Sequence, residues 1–136
     1  MERVEGTIDA LVLLAHGSRN LEWARPFHRF VERMRAAVPE FAVGLGFFEH
    51  CAPTLEDALD EAARKGCTRI LLQPLLLAGG FHLDEDLPRR LAAWQAVHPE
   101  TTVLREVPIM ENEVILQALL SAWRSRIGRS NDPHPV

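Results

Sequence analysis

Four short apolar runs alternate with four one-sided helical patterns along this chain of 136 residues. The runs lie at about 8–15, 41–48, 69–77 and 101–107. After each run, apolar residues recur with the 3.6-residue period of an amphipathic helix. Strands that alternate with helices favour a parallel sheet joined by right-handed crossovers. The third run is apolar almost throughout, which is typical of a central strand covered on both faces.

This alternation predicts an α/β fold, a four-stranded parallel sheet of flavodoxin-like order 2-1-3-4 inside a three-layer sandwich. In this winding the first and third strands are neighbours, and the chain reverses direction between them. Ligands bind there, outside the carboxyl ends of the strands. The length suits one hydrophobic core, so we expect a single domain over 1–127. The polar, proline-broken segment 128–136 is predicted to be a flexible tail.

Capping and proline signals predict where the helices begin. The first helix starts near Pro26 or kinks there. Thr54 and Asp57 match a capping box at the start of the second helix. The third helix is expected to begin near Asp86, which would cap it. The fourth helix is expected over about 112–126.

Two histidines follow two different strands in the same way. His16 comes directly after the first run and before Gly17, whereas His82 follows the third run and a glycine pair that ends at Gly80. If the strand order holds, both imidazoles lie at the ligand-binding edge, where they would suit cobalt, nickel, iron or zinc. Taken alone, His16 is slightly better explained as a residue that orders the turn. A histidine in a glycine-rich loop after a central strand is more often functional, although His82 also fits a surface loop.

Glu49 ends the second strand, next to the first. It fits a third metal ligand, a proton acceptor or an ordinary solvated strand end. His50 and Cys51 follow it, but successive side chains of an extended strand point to opposite faces. We therefore prefer Glu49 for the site, keep His50 in reserve and interpret Cys51 as a packing residue.

The composition excludes several classes of protein. The formal net charge of −4 argues against a broad nucleic-acid or anionic-membrane surface. No apolar run approaches the length needed to cross a bilayer, and the acidic N-terminus lacks the apolar stretch of a secretion signal. We therefore expect a cytoplasmic protein. The two cysteines, Cys51 and Cys67, are expected at opposite ends of the sheet, so a disulfide between them is not predicted.

Three segments resemble a known family. These are LVLLAHGSRN at the first strand, GFFEHCAPTLEDAL around the second and LLQPLLLAGGFHLDEDLPRRL across the third. They are similar to the small, single-domain sirohydrochlorin cobaltochelatases, within the class II tetrapyrrole chelatases. The resemblance covers about 8–125, and its most specific part is the Gly-x-His-x-x-x-Asp-hydrophobic-Pro block. There are two departures: Ala52 replaces an acidic residue of many relatives, and the segment 108–111 lacks the expected Leu-Gly turn.

The resemblance implies a chelatase-type sandwich and a set of roles. His16 and His82 would bind the incoming metal and help to take protons from the macrocycle, and Glu49 would be the accessory carboxylate. The substrates implied are a sirohydrochlorin-type tetrapyrrole and a divalent metal, Co²⁺ first, with Fe²⁺ or Ni²⁺ open. No permanently bound cofactor is expected, and small-form relatives act as homodimers.

The macrocycle carries many carboxylates, so arginines near the crevice are candidates to hold it. Ser18, Arg19 and Gly80 are the predicted macrocycle-binding residues. Arg89 and Arg90 are also considered, although solvated surface is the better interpretation for each of them. The alternatives left open are a siroheme ferrochelatase, a non-catalytic carrier of metal or tetrapyrrole, and, least favoured, a phosphate enzyme with His16 as nucleophile.

Overall fold

A computed structural model describes residues 6–128, apart from the side chains of Phe81 and His82. Strands and helices alternate as the sequence predicts. They are β1 (Ala10–Ala15), α1 (Leu21–Ala37), β2 (Ala42–Phe47), α2 (Leu55–Arg64), β3 (Arg69–Pro74), α3 (Phe81–Ala96), β4 (Thr102–Arg105), a 3-10 turn (Ile109–Glu111) and α4 (Glu113–Arg124). The predicted tail lies outside the described residues, apart from Gly128.

The four strands form one parallel sheet in the order β2-β1-β3-β4, which confirms the predicted order. β1 lies in the middle. Its Leu14 pairs with Gly46 of β2 and with Pro74 of β3. The segments that leave these three strands therefore meet at one edge of the sheet.

The core lies on both faces of the sheet, because side chains alternate along each strand. Val12 and Leu14 of β1 pack in a cluster with α2 and α3, to which Leu59 and Leu87 belong. Leu13 and Ala15 point the other way and pack with α1 in the cluster Leu13, Ala15, Ala24, Val31, Val43, Leu45 and Phe47. The result is the predicted three-layer sandwich.

The capping signal is confirmed at α2, and the predicted start of α1 near Pro26 is wrong, because the helix begins at Leu21. At α2, the Asp57 backbone N–H donates to the Thr54 hydroxyl (3.1 Å), and the Thr54 N–H donates to the Asp57 carboxylate (2.9 Å). At α1 the capping residue is Asn20, whose side chain accepts from the Glu22 N–H. The helix runs through Pro26 rather than beginning there.

The start predicted for α3 is wrong by five residues. The helix begins at Phe81 with Gly80 at its N-cap position, so Asp86 lies inside the helix and does not cap it. The reason is packing: Leu83 and Leu87, four residues apart, are both buried against the sheet. The earlier start places His82 in the first turn of a helix and not in a loop.

α4 is the least covered helix. It contributes no buried residue, and its apolar side chains include Val114 (80% exposed) and Trp123 (60% exposed). The helical spacing of Trp94 and Trp123 predicts that both are core residues. The prediction is confirmed for Trp94 (5% exposed) and wrong for Trp123. Within residues 6–128, no helix combines the length and apolar character that a membrane crossing requires.

Candidate active site

His16 stands at the edge of the sheet, one residue after β1. Its Nε2 lies 3.0 Å from the Glu49 Oε1, and its Nδ1 lies 3.2 Å from the Gly17 carbonyl oxygen. About half of the side chain is exposed. The ring is therefore oriented by its own turn on one side and by a carboxylate on the other, and it stays accessible to a ligand.

The backbone brings His16 and Glu49 together by continuing the β1–β2 ladder. The Phe48 N–H donates to the Ala15 carbonyl (2.8 Å), and the Glu49 N–H donates to the His16 carbonyl (3.0 Å). Gly17 then turns with a φ of +102°, and a Cβ there would lie 1.7 Å from the Glu49 carbonyl oxygen. The group that approaches Gly17 closely is thus the Glu49 backbone, in the segment after β2.

Glu49 and His50 both face this edge. The Glu49 Oε1 that contacts His16 also lies 3.4 Å from the His50 Nε2, and the two imidazole rings are 6.1 Å apart. The expected alternation of side chains fails here because β2 ends at Phe47 and His50 has a φ of +73°. A non-glycine residue in this left-handed region is uncommon and costs free energy. The turn thus brings His50, the reserve candidate, into contact with the preferred residue Glu49.

A cleft runs from His16 to α3. It has a volume of about 260 Å³ and is lined by His16, Phe48, Leu76, Ala78, Gly79, Gly80 and Leu83. We call it the His16–Gly80 cleft. His82 lies in the first turn of α3, two residues after Gly80, but its side chain lies outside the described part of the chain. Convergence of the two imidazoles therefore stays a prediction, although the chain neighbour Leu83 lines the same cleft as His16.

A second, more open cleft lies on the other side of His16. It has a volume of about 480 Å³ and is lined by His16, Gly17, Ser18, Arg19 and His50. The Ser18 hydroxyl accepts from the Asn20 N–H (3.1 Å). The predicted macrocycle-binding residues are thus divided, with Ser18 and Arg19 on one side of His16 and Gly80 on the other.

The described side chains do not make a closed metal site. Among them, no group of three histidine, cysteine, aspartate or glutamate side chains is arranged to hold an ion. Cys51 packs half-buried beside the α1 layer, and both it and Cys67 are free. What the described geometry offers is an accessible imidazole paired with a carboxylate.

Arg90 is a partly buried structural group that the sequence analysis did not predict. Its guanidinium makes a two-pronged ion pair with Glu56 of α2 (2.7 Å for each contact) and donates to the Phe48 carbonyl (2.6 Å). The hydrogen bond from Arg90 holds the pKa of Glu56 below its usual value, and the same bond raises the pKa of Arg90. Its side chain is 24% exposed, whereas Arg89 is 75% exposed and pairs with Asp86.

A signal for Arg90 was present in the sequence. The buried positions of α3 are Leu83, Leu87 and Trp94, and position 90 falls between them at the same helical spacing. An arginine within an apolar stripe needs a partner. The interpretation of Arg90 as solvated surface is therefore wrong, and that of Arg89 is confirmed.

Comparison with known proteins agrees with this architecture. The family model CbiX matches residues 10–126. A sirohydrochlorin ferrochelatase of Priestia megaterium is 30% identical over 93% of this chain and 47% of its own length. A sirohydrochlorin cobaltochelatase of Methanopyrus kandleri is 38% identical over 60% of this chain and 57% of its own length. The chain thus spans about half the length of these curated relatives.

Two solved structures are also similar. One is described as a CbiX protein of cobalamin (vitamin B12) biosynthesis from Marinobacter aquaeolei VT8, with a TM-score of 0.74 and 26% identity, covering 89% of this chain and 98% of that one. The other is the sirohydrochlorin chelatase SirB of Bacillus subtilis subspecies spizizenii in complex with cobalt. Its TM-score is 0.73 and its identity 26%, over 93% of this chain and 56% of that one.

Proposed function

This chain belongs to the CbiX family, and on that premise we propose that it inserts a divalent metal ion into sirohydrochlorin. The observation that carries the proposal is the contact of 3.0 Å between Glu49 Oε1 and Nε2 of His16, a residue that lines the His16–Gly80 cleft. Relatives of similar sequence carry the names of sirohydrochlorin ferrochelatase and cobaltochelatase. Metal and macrocycle are both substrates.

Insertion requires that the ion lose water and that the macrocycle lose two N–H protons. We assign His16 and His82 to the ion, because two imidazoles orient it and leave its other coordination positions open. Glu49 lies within hydrogen-bond distance of His16, so it can receive a proton from the macrocycle or through that ring. The same edge of the sheet thus supplies an ion ligand and a proton acceptor.

The macrocycle is assigned to the two clefts beside His16. Arg19 is exposed and offers a guanidinium for carboxylates, next to the Ser18 hydroxyl. At Gly80 a Cβ would meet nothing within 4 Å, so internal packing does not demand glycine there. A bare backbone at the wall of a cleft lets a flat ligand approach closely.

We propose Co²⁺ as the physiological metal, in cobalamin synthesis, with Fe²⁺ as the alternative. Cobalt is favoured because cobaltochelatases recur among the relatives and one similar structure was solved with cobalt. Imidazole and carboxylate ligands suit both ions. Initial insertion rates at equal free Co²⁺, Fe²⁺ and Ni²⁺ test the assignment, which is wrong if iron is inserted fastest.

We further propose that the chain acts as a homodimer. The curated relatives are about twice as long as the segment they share with it, so a second copy would supply an equivalent second half. α4 leaves exposed apolar side chains that such a copy would cover, with Leu120 and Trp123 three residues apart on one face of the helix. Trp123→Glu should convert a dimer to a monomer in light scattering, and a monomeric wild type would contradict the proposal.

The activity is tested by ultraviolet–visible spectra of sirohydrochlorin mixed with Co²⁺ and the purified protein. Metallation should run faster than in the mixture without protein, and His16→Ala should abolish the difference. His98→Gln serves as a control, since His98 lies at the opposite edge of the sheet and pairs with Asp60. Metal binding without faster insertion would identify a carrier, and equal rates for wild type and His16→Ala would refute the proposed role of His16.

A further inference from the structure

Arg90 joins three segments beside the candidate active site. It extends from α3, its Nε and Nη2 donate to the two Glu56 carboxylate oxygens at the start of α2, and its Nη1 donates to the Phe48 carbonyl. The guanidinium carbon also lies 4.9 Å from the centre of the Phe48 ring. The planar fork of an arginine can make these contacts together, and the point charge of a lysine cannot.

The Phe48 carbonyl matters because it belongs to the peptide group that leads into Glu49. The N–H of that same group donates to the His16 carbonyl at 3.0 Å. One peptide group is thus held from two sides, by Arg90 of α3 and by the backbone that follows β1. With its backbone fixed in this way, Glu49 can keep its carboxylate 3.0 Å from the His16 ring.

α3 also carries His82 in its first turn. The hydrogen bond from Arg90 to the Phe48 carbonyl therefore connects α3, which carries the predicted metal ligand His82, with the His16–Glu49 pair. Glu56 contributes by holding the guanidinium with two hydrogen bonds, which leaves the third donor directed at the carbonyl. Groups that orient metal ligands in this indirect way typically change affinity or activity by about 10–100-fold when they are removed.

We propose that Arg90 is a positioning residue for metal insertion. It holds the Phe48–Glu49 peptide against α3, so that Glu49, His16 and the first turn of α3 keep a fixed spacing. The inference rests on the proposed function and adds to it a residue that touches neither metal nor macrocycle.

The test uses Co²⁺ alone as a probe and insertion into sirohydrochlorin as a second readout. Arg90→Lys keeps the charge and loses the fork, Glu56→Gln weakens the hold on the guanidinium, and Arg89→Lys is the matched control one residue away. Each variant is compared with wild type well below its melting temperature, with folding checked by circular dichroism. The Kd and visible spectrum of bound Co²⁺ are measured, then kcat and KM.

Arg90→Lys should weaken Co²⁺ binding about tenfold, alter the Co²⁺ spectrum and lower kcat. Glu56→Gln should show a smaller loss, and Arg89→Lys should match wild type. If Arg90→Lys does not fold, the Kd and spectrum of Glu56→Gln decide. A lower melting temperature with unchanged Co²⁺ affinity, spectrum and kcat would show a merely structural role and overturn the inference. Failure of the proposed function looks different, since wild type itself would then insert Co²⁺ no faster than the mixture without protein, whatever its Co²⁺ affinity.

Discussion

Gly17 should be the most sensitive glycine at the carboxyl edge of the sheet. Gly17→Ala meets two obstacles, a φ of +102° and a Cβ only 1.7 Å from the Glu49 carbonyl oxygen. The left-handed backbone alone costs an L-residue about 1–2 kcal/mol. The clash must then be relieved by moving backbone against backbone, because no flexible side chain is involved.

The movement has a definite cost in hydrogen bonds. To bring 1.7 Å to the 3.0 Å that real Cβ contacts respect, the segments after β1 and β2 must separate. The bonds at risk are those from the Phe48 and Glu49 N–H groups to the Ala15 and His16 carbonyls. Each contributes about 1 kcal/mol. Gly17→Ala should therefore lower the free energy of unfolding by about 3–4 kcal/mol.

The assay is equilibrium unfolding in urea, with Gly44→Ala as control. Gly44 lies in β2, and a Cβ there would meet its nearest atoms at 3.9 Å, an ordinary contact. Gly44→Ala should change the free energy of unfolding by less than about 1 kcal/mol. If Gly17→Ala is as stable as Gly44→Ala, the close approach does not hold the site together. Where Gly17→Ala still folds, weaker Co²⁺ binding is expected, because Glu49 would lie farther from His16.

Three further predictions follow from the same contacts. His50→Asn should fold with a stability close to that of wild type, because asparagine tolerates a positive φ, and should bind Co²⁺ more weakly by calorimetry; unchanged affinity would exclude His50 from the site. Arg19→Gln should raise KM for sirohydrochlorin more than it lowers kcat in steady-state kinetics, and the reverse pattern would contradict a role in binding carboxylates. Since the pKa of Glu56 is lower in the folded state than its usual 4.5, the unfolded state takes up its proton first as the pH falls. The stabilisation from Glu56 is thus complete above pH 4.5 and is lost below it; Glu56→Gln should flatten the decline in urea-measured stability there, and an unchanged slope would contradict the pairing.

Much of the fold could be predicted because the spacing of apolar residues distinguishes strands from amphipathic helices. The alternation of apolar runs and one-sided helices predicted a parallel sheet between layers of helices, and the strand order was taken from the flavodoxin-like winding. The Thr54 capping box could be recognised from two residues. The start of α3 could not be read in this way, since the prediction relied on local signals such as the expected cap at Asp86. Burial of Leu83 and Leu87 extends the helix past those signals, and burial depends on what lies opposite in the sheet.

The residues of the candidate site could be predicted from the sequence, but the geometry of the turn that holds them could not. His16 and Glu49 could be placed together from the strand order, because each leaves one of two paired strands. The alternation argument allowed at most one or two of Glu49, His50 and Cys51 at the site and preferred Glu49. It does not apply beyond Phe47, where the strand ends. The positive φ of His50 is a property of the turn that no side-chain pattern in the sequence announces.

Arg90 shows how the pairing of a partly buried charge can be inferred before a structure exists. Leu87 and Trp94 lie on the same face of α3 and are buried, so another element must pack against that face. A guanidinium there without a hydrogen-bonded or charged partner would destabilise the fold. A carboxylate must therefore lie opposite, on whichever element covers α3. Glu56 meets that requirement from α2, and the remaining donor reaches the Phe48 carbonyl. Because Arg90 is partly buried on this helix face, its guanidinium needs hydrogen-bond partners, and one of them is the Phe48 carbonyl. The packing of α3 therefore also explains the contact between α3 and the Phe48–Glu49 peptide on which the proposed positioning role depends.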